Sequence, residues 1–132
     1  QTVDLSKLKK DTHFLATDLI IDGLLGFGLK GPLKPPYKDI ITFINSRSKS
    51  TILSIDLPSG LNATTGESDV AIKSDATISF GAPKKGFLSD TGRALIGRLL
   101  IADIGIPHRL YKRLKEPNFP RFNSGRLVEV FF

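Results

Sequence analysis

The segment Asp18-Leu-Ile-Ile-Asp-Gly-Leu-Leu-Gly-Phe-Gly-Leu-Lys-Gly31 constrains the fold most. A run of apolar residues ends in an acid, Asp22, and then in a glycine-rich turn, the pattern of a buried strand that hands over to a helix. Ile52-Leu-Ser-Ile-Asp-Leu-Pro-Ser-Gly60 repeats the same logic. Between the two, Ile40, Ile41, Phe43 and Ile44 recur at helical spacing and predict an amphipathic helix over 37–47. Residues 18–56 therefore read as a βαβ unit with parallel strands and a right-handed crossover. That arrangement brings Asp22 and Asp56 to one carboxyl edge of a sheet, where ligands bind in open α/β folds.

The same reading along the chain predicts strands over 15–22, 51–56, 75–80 and 98–104, with a terminal strand over 127–132. Residues 3–12 suit a short polar helix, and 108–115 one or two helical turns. Residues 57–73 hold Pro58, Gly60, Asn62 and Gly66 and predict a long loop, a length often tied to function. One convincing helix then serves four parallel strands, and a parallel sheet needs both faces covered. The packing predicts an incomplete domain, with the missing layer in an N-terminal part or on a partner. At 132 residues the chain reads as one domain over 1–132.

Several function classes fall away on composition. The chain has no Cys, which removes disulfides, Cys-based zinc sites and thiol catalysis. Its two histidines, His13 and His108, share no metal-ligand spacing. No apolar run nears the roughly 20 residues of a membrane span, and no signal-peptide core is legible, so a cytoplasmic location is the default. The absence of any Met points to a processed or truncated product. A net charge of +6 suits a polyanionic partner. The basic residues are scattered, acids follow close by, and aromatics do not interleave with them. A solvated surface and a phosphate-bearing small ligand are expected, and neither a nucleic acid nor a membrane.

Gly26-Phe-Gly-Leu-Lys-Gly31 has the letters of a dinucleotide fingerprint, and Asp56 stands where that fingerprint wants its acid. Glycines there let backbone N–H groups approach a phosphate, and Lys30 adds a point charge. The plainer alternative is a tight turn that needs positive φ. Asp22 and Asp56 can hold a hard cation or act as a general acid/base; each alone can equally bond loop amides. Ser59 lacks a nearby base for nucleophilic work and suits a ligand role in a tight turn. Gly81-Ala-Pro-Lys-Lys-Gly86 reads either as a third ligand-facing loop or as a solvated lysine pair.

Four segments together carry a resemblance: Asp18–Gly31, Ser54-Ile-Asp-Leu-Pro-Ser-Gly60, Ser74-Asp-Ala-Thr-Ile-Ser-Phe-Gly-Ala-Pro-Lys-Lys-Gly86 and Ala102-Asp-Ile-Gly-Ile-Pro107. In this order they resemble the NAD(P)HX epimerase family, the YjeF-type N-terminal domain, over roughly residues 15–107. The resemblance implies a Rossmann-like three-layer α/β sandwich with a mostly parallel sheet, and interconversion of the R and S forms of hydrated NADH and NADPH. It implies a potassium ion held by Asp22 and Ser59, and substrate contacts from Gly26, Phe27, Gly28, Leu29, Lys30, Gly31, Pro32 and Asp56. Asp56 is the expected general acid/base. The chain departs from the family by lacking its Asn-Asn-Gly-Gly-Asp-Gly loop, and Pro32 stands where some members have an acid. The partner implied is therefore the missing N-terminal half or a second copy in a homodimer. The competing reading is a catalytically inactive nucleotide-binding or interaction module on the same scaffold. A weaker third is hydrolysis of a phosphate ligand.

Overall fold

The computed structural model describes residues 4–29, 31–46, 49–113, 122 and 125–131. Asp4 and Asp11 accept backbone N–H groups from Ser6 at 2.9 Å and Phe14 at 3.1 Å. These caps start two one-turn helices, α1 (Leu5–Leu8) and α2 (Thr12–Leu15). The second corrects the expected strand over 15–22. The Asp11 cap draws residues up to Leu15 into a helix, so β1 runs only Leu19–Asp22. The helix α3 spans Tyr37–Asn45 and buries Ile41 and Ile44, which accounts for its apolar periodicity; residues 47–48 lie outside the described set.

β2 (Thr51–Ile55) and β3 (Ala76–Phe80) each lose one residue from the expected spans. Asp56 leaves the strand because its backbone turns left-handed, with φ 69°. A 3₁₀ turn follows at Lys85–Leu88, then α4 (Asp90–Ile96) and β4 (Arg98–Ala102). The expected extension of that strand to Ile104 fails because Asp103 accepts the Gly105 N–H at 2.8 Å and Gly105 has φ 78°, which turns the chain. α5 (His108–Arg113) and β5 (Leu127–Val130) complete the described elements; residues 114–115 and 132 of the expected spans lie outside them.

The single-helix expectation is corrected by α4. Ser89 caps it by accepting the Gly92 N–H at 2.9 Å, Asp90 sits in its first turn, and Gly97 with φ 59° ends it. Those are ordinary start and stop signals. Gly92 hides the helix from a propensity argument. Its presence has a packing cause: a Cβ there would collide with the Gly86 carbonyl of the 3₁₀ turn.

The sheet runs β1-β2-β3-β4-β5, with the first four strands parallel and β5 antiparallel to β4. One face is well covered. Ile20 and Ile52 join Leu33, Ile41, Ile44 and Ile72 in one apolar cluster. Leu99 and Ile101 join Leu57, Leu61, Phe87 and Ile96 in the other. Strand residues on the opposite face stay partly open, up to 63% exposure at Ile21 on the β1 edge. No helix among the described residues is long and apolar enough to cross a membrane.

Candidate functional site

Asp22 closes β1 and pairs in register with Ser54 of β2, so Asp22 and Asp56 both lie at the carboxyl edge. Their surroundings differ. Asp22 is only 3% exposed and is tied into a knot between two strand ends. One carboxylate oxygen, Oδ2, accepts from Ser54 Oγ and the Ser59 N–H, both at 2.8 Å. Oδ1 accepts from Ser59 Oγ at 2.6 Å and from the Leu24 N–H at 3.3 Å. Ser54 Oγ also lies 2.6 Å from Ser74 Oγ. Ser59 Oγ bonds in turn with the Leu25 N–H at 2.8 Å and its carbonyl at 3.2 Å. Asp22 and Ser59, paired only by what the family resemblance implies, are thus in direct contact. Ser54 and Ser74 were missed; Ser54 stands in an otherwise apolar strand, which is itself a signal, whereas Ser74 lies before β3 between Lys73 and Asp75 and carries none.

Asp56 sits on a different structural footing. The left-handed backbone is uncommon for a residue with a side chain, and short polar residues tolerate it best. The Asp56 N–H donates to the Ile78 carbonyl at 2.7 Å, which fixes the turn against β3. Its Oδ1 meets Lys84 Nζ at 2.6 Å, the Phe80 N–H at 3.2 Å and Ser79 Oγ at 3.4 Å. The side chains of Lys84 and Asp56 are 18% and 25% exposed. Lys84 is therefore no solvated lysine, which corrects that alternative for the 81–86 loop; Lys85 beside it is exposed.

The glycine-rich turn divides in two. Gly26, Phe27 and Gly28 form its outer part: a Cβ at either glycine would meet open space, and the Phe27 ring is largely exposed. Gly28 and Gly31 have φ of 103° and 74°, the conformation the plainer turn reading requires. Leu29, Gly31 and Pro32 line an open cavity of about 450 Å³, together with Gly60, Asn62, Glu67, Ser68 and Asp69. Lys30 lies outside the described residues. Asn62 Nδ2 donates to the Leu29 carbonyl at 3.4 Å, joining the two loops across the cavity. Ser68 Oγ is buried with no hydrogen-bond partner among the described residues. Burial works against the charge on Asp69, but N–H groups of Leu33 and Val70 and the Lys38 ammonium outweigh it and hold its carboxyl below the usual range. The cavity has the size of a small-molecule cleft.

A mostly parallel α/β sheet with a buried acid knot, a clamped second acid and a glycine-rich cleft after its strands places the chain in the open-sheet α/β class. A model of the YjeF-related protein N-terminus family matches residues 1–86, and the chain belongs to that family. It is 43% identical over 109 residues to a bifunctional NAD(P)H-hydrate repair enzyme Nnr of Hyperthermus butylicus, covering 80% of this chain and 20% of that protein. It is 36% identical over 99 residues to an NAD(P)H-hydrate epimerase of Rhodopirellula baltica, covering 74% of this chain and 40% of that one. The chain thus spans between a fifth and two fifths of the length of these relatives. The crystal structure of yeast ynu0, YNL200c, superposes with a TM-score of 0.70 at 20% identity, over 89% of this chain and 50% of that one. That likeness supports the fold.

Proposed function

We propose that this chain contributes to the epimerisation of hydrated NADH and NADPH, with Asp56 as the general acid/base. Relatives named as NAD(P)H-hydrate epimerase and repair enzymes support the reaction class. The observation that carries the assignment to Asp56 is its posture. It stands beyond a strand end in a left-handed conformation, with Oδ1 held by three donors and its side chain still a quarter open. Strained backbone at a polar residue is what functional positions tolerate and packing positions avoid.

The chemistry follows. The carboxyl proton passes to the departing hydroxyl as its carbon–oxygen bond breaks, water leaves, and the ring nitrogen's lone pair is drawn into an iminium. Water then adds to the other ring face, and its proton returns to the carboxylate. Asp56 ends as it began, and the substrate has changed hand. Leu29, Gly31 and Pro32, with Gly60 and Asn62, offer the nucleotide a cleft of fitting size.

A potassium ion on Asp22 and Ser59 belongs to the same proposal. Among the described residues no three His, Cys, Asp or Glu side chains cluster as a metal site. One carboxylate, one hydroxyl and the adjoining Leu25 carbonyl nevertheless form an all-oxygen donor set, which suits a hard monovalent cation. Bound there, such an ion would supply a counter-charge to the buried carboxylate and draw the loops after β1 and β2 together.

The test incubates one epimer of hydrated NADH with the chain, in potassium and in choline buffer, and follows the other epimer by chromatography. Turnover above the spontaneous rate is expected. D56N is expected to lower it by at least 100-fold, the low end for a lost general acid/base. Turnover unchanged in D56N would refute the assignment. Binding of the hydrated nucleotide without turnover in the parent chain would favour the binding-module reading.

A further inference from the structure

We propose, on the epimerase reading of Asp56, that Lys84 is the positioning residue that fixes which of the two Asp56 oxygens exchanges a proton. The two residues lie 28 positions apart and meet only because β2 and β3 pair in parallel register, Ile55 opposite Ile78. That register carries the loop after β3 across the end of β2. The ammonium of Lys84 comes within 2.6 Å of Oδ1 and 3.5 Å of the Phe80 carbonyl. All three donors to the carboxylate, Lys84 Nζ, Ser79 Oγ and the Phe80 N–H, converge on Oδ1. No donor among the described residues meets Oδ2. An oxygen ringed by three donors has no room for a proton of its own, so the exchangeable proton belongs on Oδ2.

The three donors differ in strength. The Ser79 and Phe80 contacts are long, at 3.4 and 3.2 Å, and both partners are neutral. The Lys84 contact is short and charge-assisted, the stronger kind. Lys84 is mostly enclosed, so water screens the pair less than it would a surface bridge. Lys84 thus acts through Asp56 and need not touch the substrate. Lys85, one residue on and exposed, has the same charge without the contact, which makes it the control.

The experiment compares the parent chain with K84M, K84R and K85M, and reads both the Asp56 side chain and turnover. Three-bond couplings in NMR report the Asp56 χ1 angle without any activity. A single rotamer is expected in the parent, K84R and K85M, and averaged rotamers in K84M. In turnover, K84M is expected to lose about 100-fold in kcat, the cost of a misplacement near 1 Å, with KM within about twofold. K84R is expected to recover at least a tenth of parental kcat, and K85M to match the parent. A single Asp56 rotamer surviving in K84M would overturn the proposal. A raised KM with kcat unchanged would overturn it too, since Lys84 would then be gripping the nucleotide. Should K84M fail to fold, K84Q is read against the same criteria. An inactive parent chain would refute only the reading that this chain by itself performs the epimerisation, and the couplings would still decide whether Lys84 holds the carboxylate.

Discussion

Replacing Asp22 by Ala should destabilise the fold by an amount that its neighbours allow one to work out. Four donors lose their acceptor. Ser54 Oγ can fall back on Ser74 Oγ at 2.6 Å, and Ser59 Oγ on the Leu25 carbonyl at 3.2 Å. The Leu24 N–H gives up a contact that is already long at 3.3 Å. The Ser59 N–H, buried and 2.8 Å from Oδ2, has no such fallback. One stranded buried donor costs about 1–3 kcal/mol, and the space left by the carboxylate adds about 1 kcal/mol. D22A should therefore lose about 2–4 kcal/mol in all. D22N should lose only about 1 kcal/mol. An amide oxygen in the place of Oδ2 keeps the Ser54 and Ser59 bonds, and the amide NH₂ donates to Ser59 Oγ, so only the Leu24 contact goes. Urea denaturation of the three proteins, followed by far-ultraviolet circular dichroism, measures both differences. A D22N as damaged as D22A would refute the reasoning, because charge rather than the pattern of acceptors would then hold the loops together. A D22A within about 0.5 kcal/mol of the parent, the scatter of an ordinary surface change, would refute it as well.

Two further outcomes follow from packing and charge. G92A should destabilise by about 1–3 kcal/mol, the cost of overpacking, because its new methyl collides with the Gly86 carbonyl; a thermal melt matching the parent would show that the turn can retreat. The Arg98 guanidinium donates twice to Glu129, at 2.9 and 3.0 Å across β4 and β5, and holds the Glu129 carboxyl below its usual value. The support this gives to β5 is complete above the ordinary glutamate pKa of about 4.3 and fades as pH falls through the lower folded value. R98A should remove that part of the acid sensitivity, and an unchanged pH dependence of unfolding in R98A would contradict the pairing.

What the sequence made legible was periodicity and punctuation. Ile20, Ile41, Ile44 and Ile52 repeat at strand and helix spacings, so the βαβ unit could be read with its two acids on one edge. The short helix α4 was not legible, because Gly92 argues against helix and the reason for it lies on another segment. The start of β1 was misread because the Asp11 cap acts within three residues and outweighs the apolar letters after it. At the site, the strand-end pattern put Asp22 and Asp56 on one edge, while the pairing of Asp22 with Ser59 came from the family resemblance, and those two touch. The Lys84–Asp56 pair could not be found that way, since only the register of β2 on β3 brings the two together.

The backbone angle at residue 56 has a consequence for how such a chain can diverge. Few letters are compatible with a left-handed turn at low cost. Glutamate, the habitual swap for aspartate, retains the acid but meets a steric penalty of about 1–2 kcal/mol. Asparagine and glycine sit there comfortably and abolish the acid. A single-base change at one codon can therefore remove the acid while leaving the turn intact, so on the proposed mechanism residue 56 would separate a working member from a folded relic.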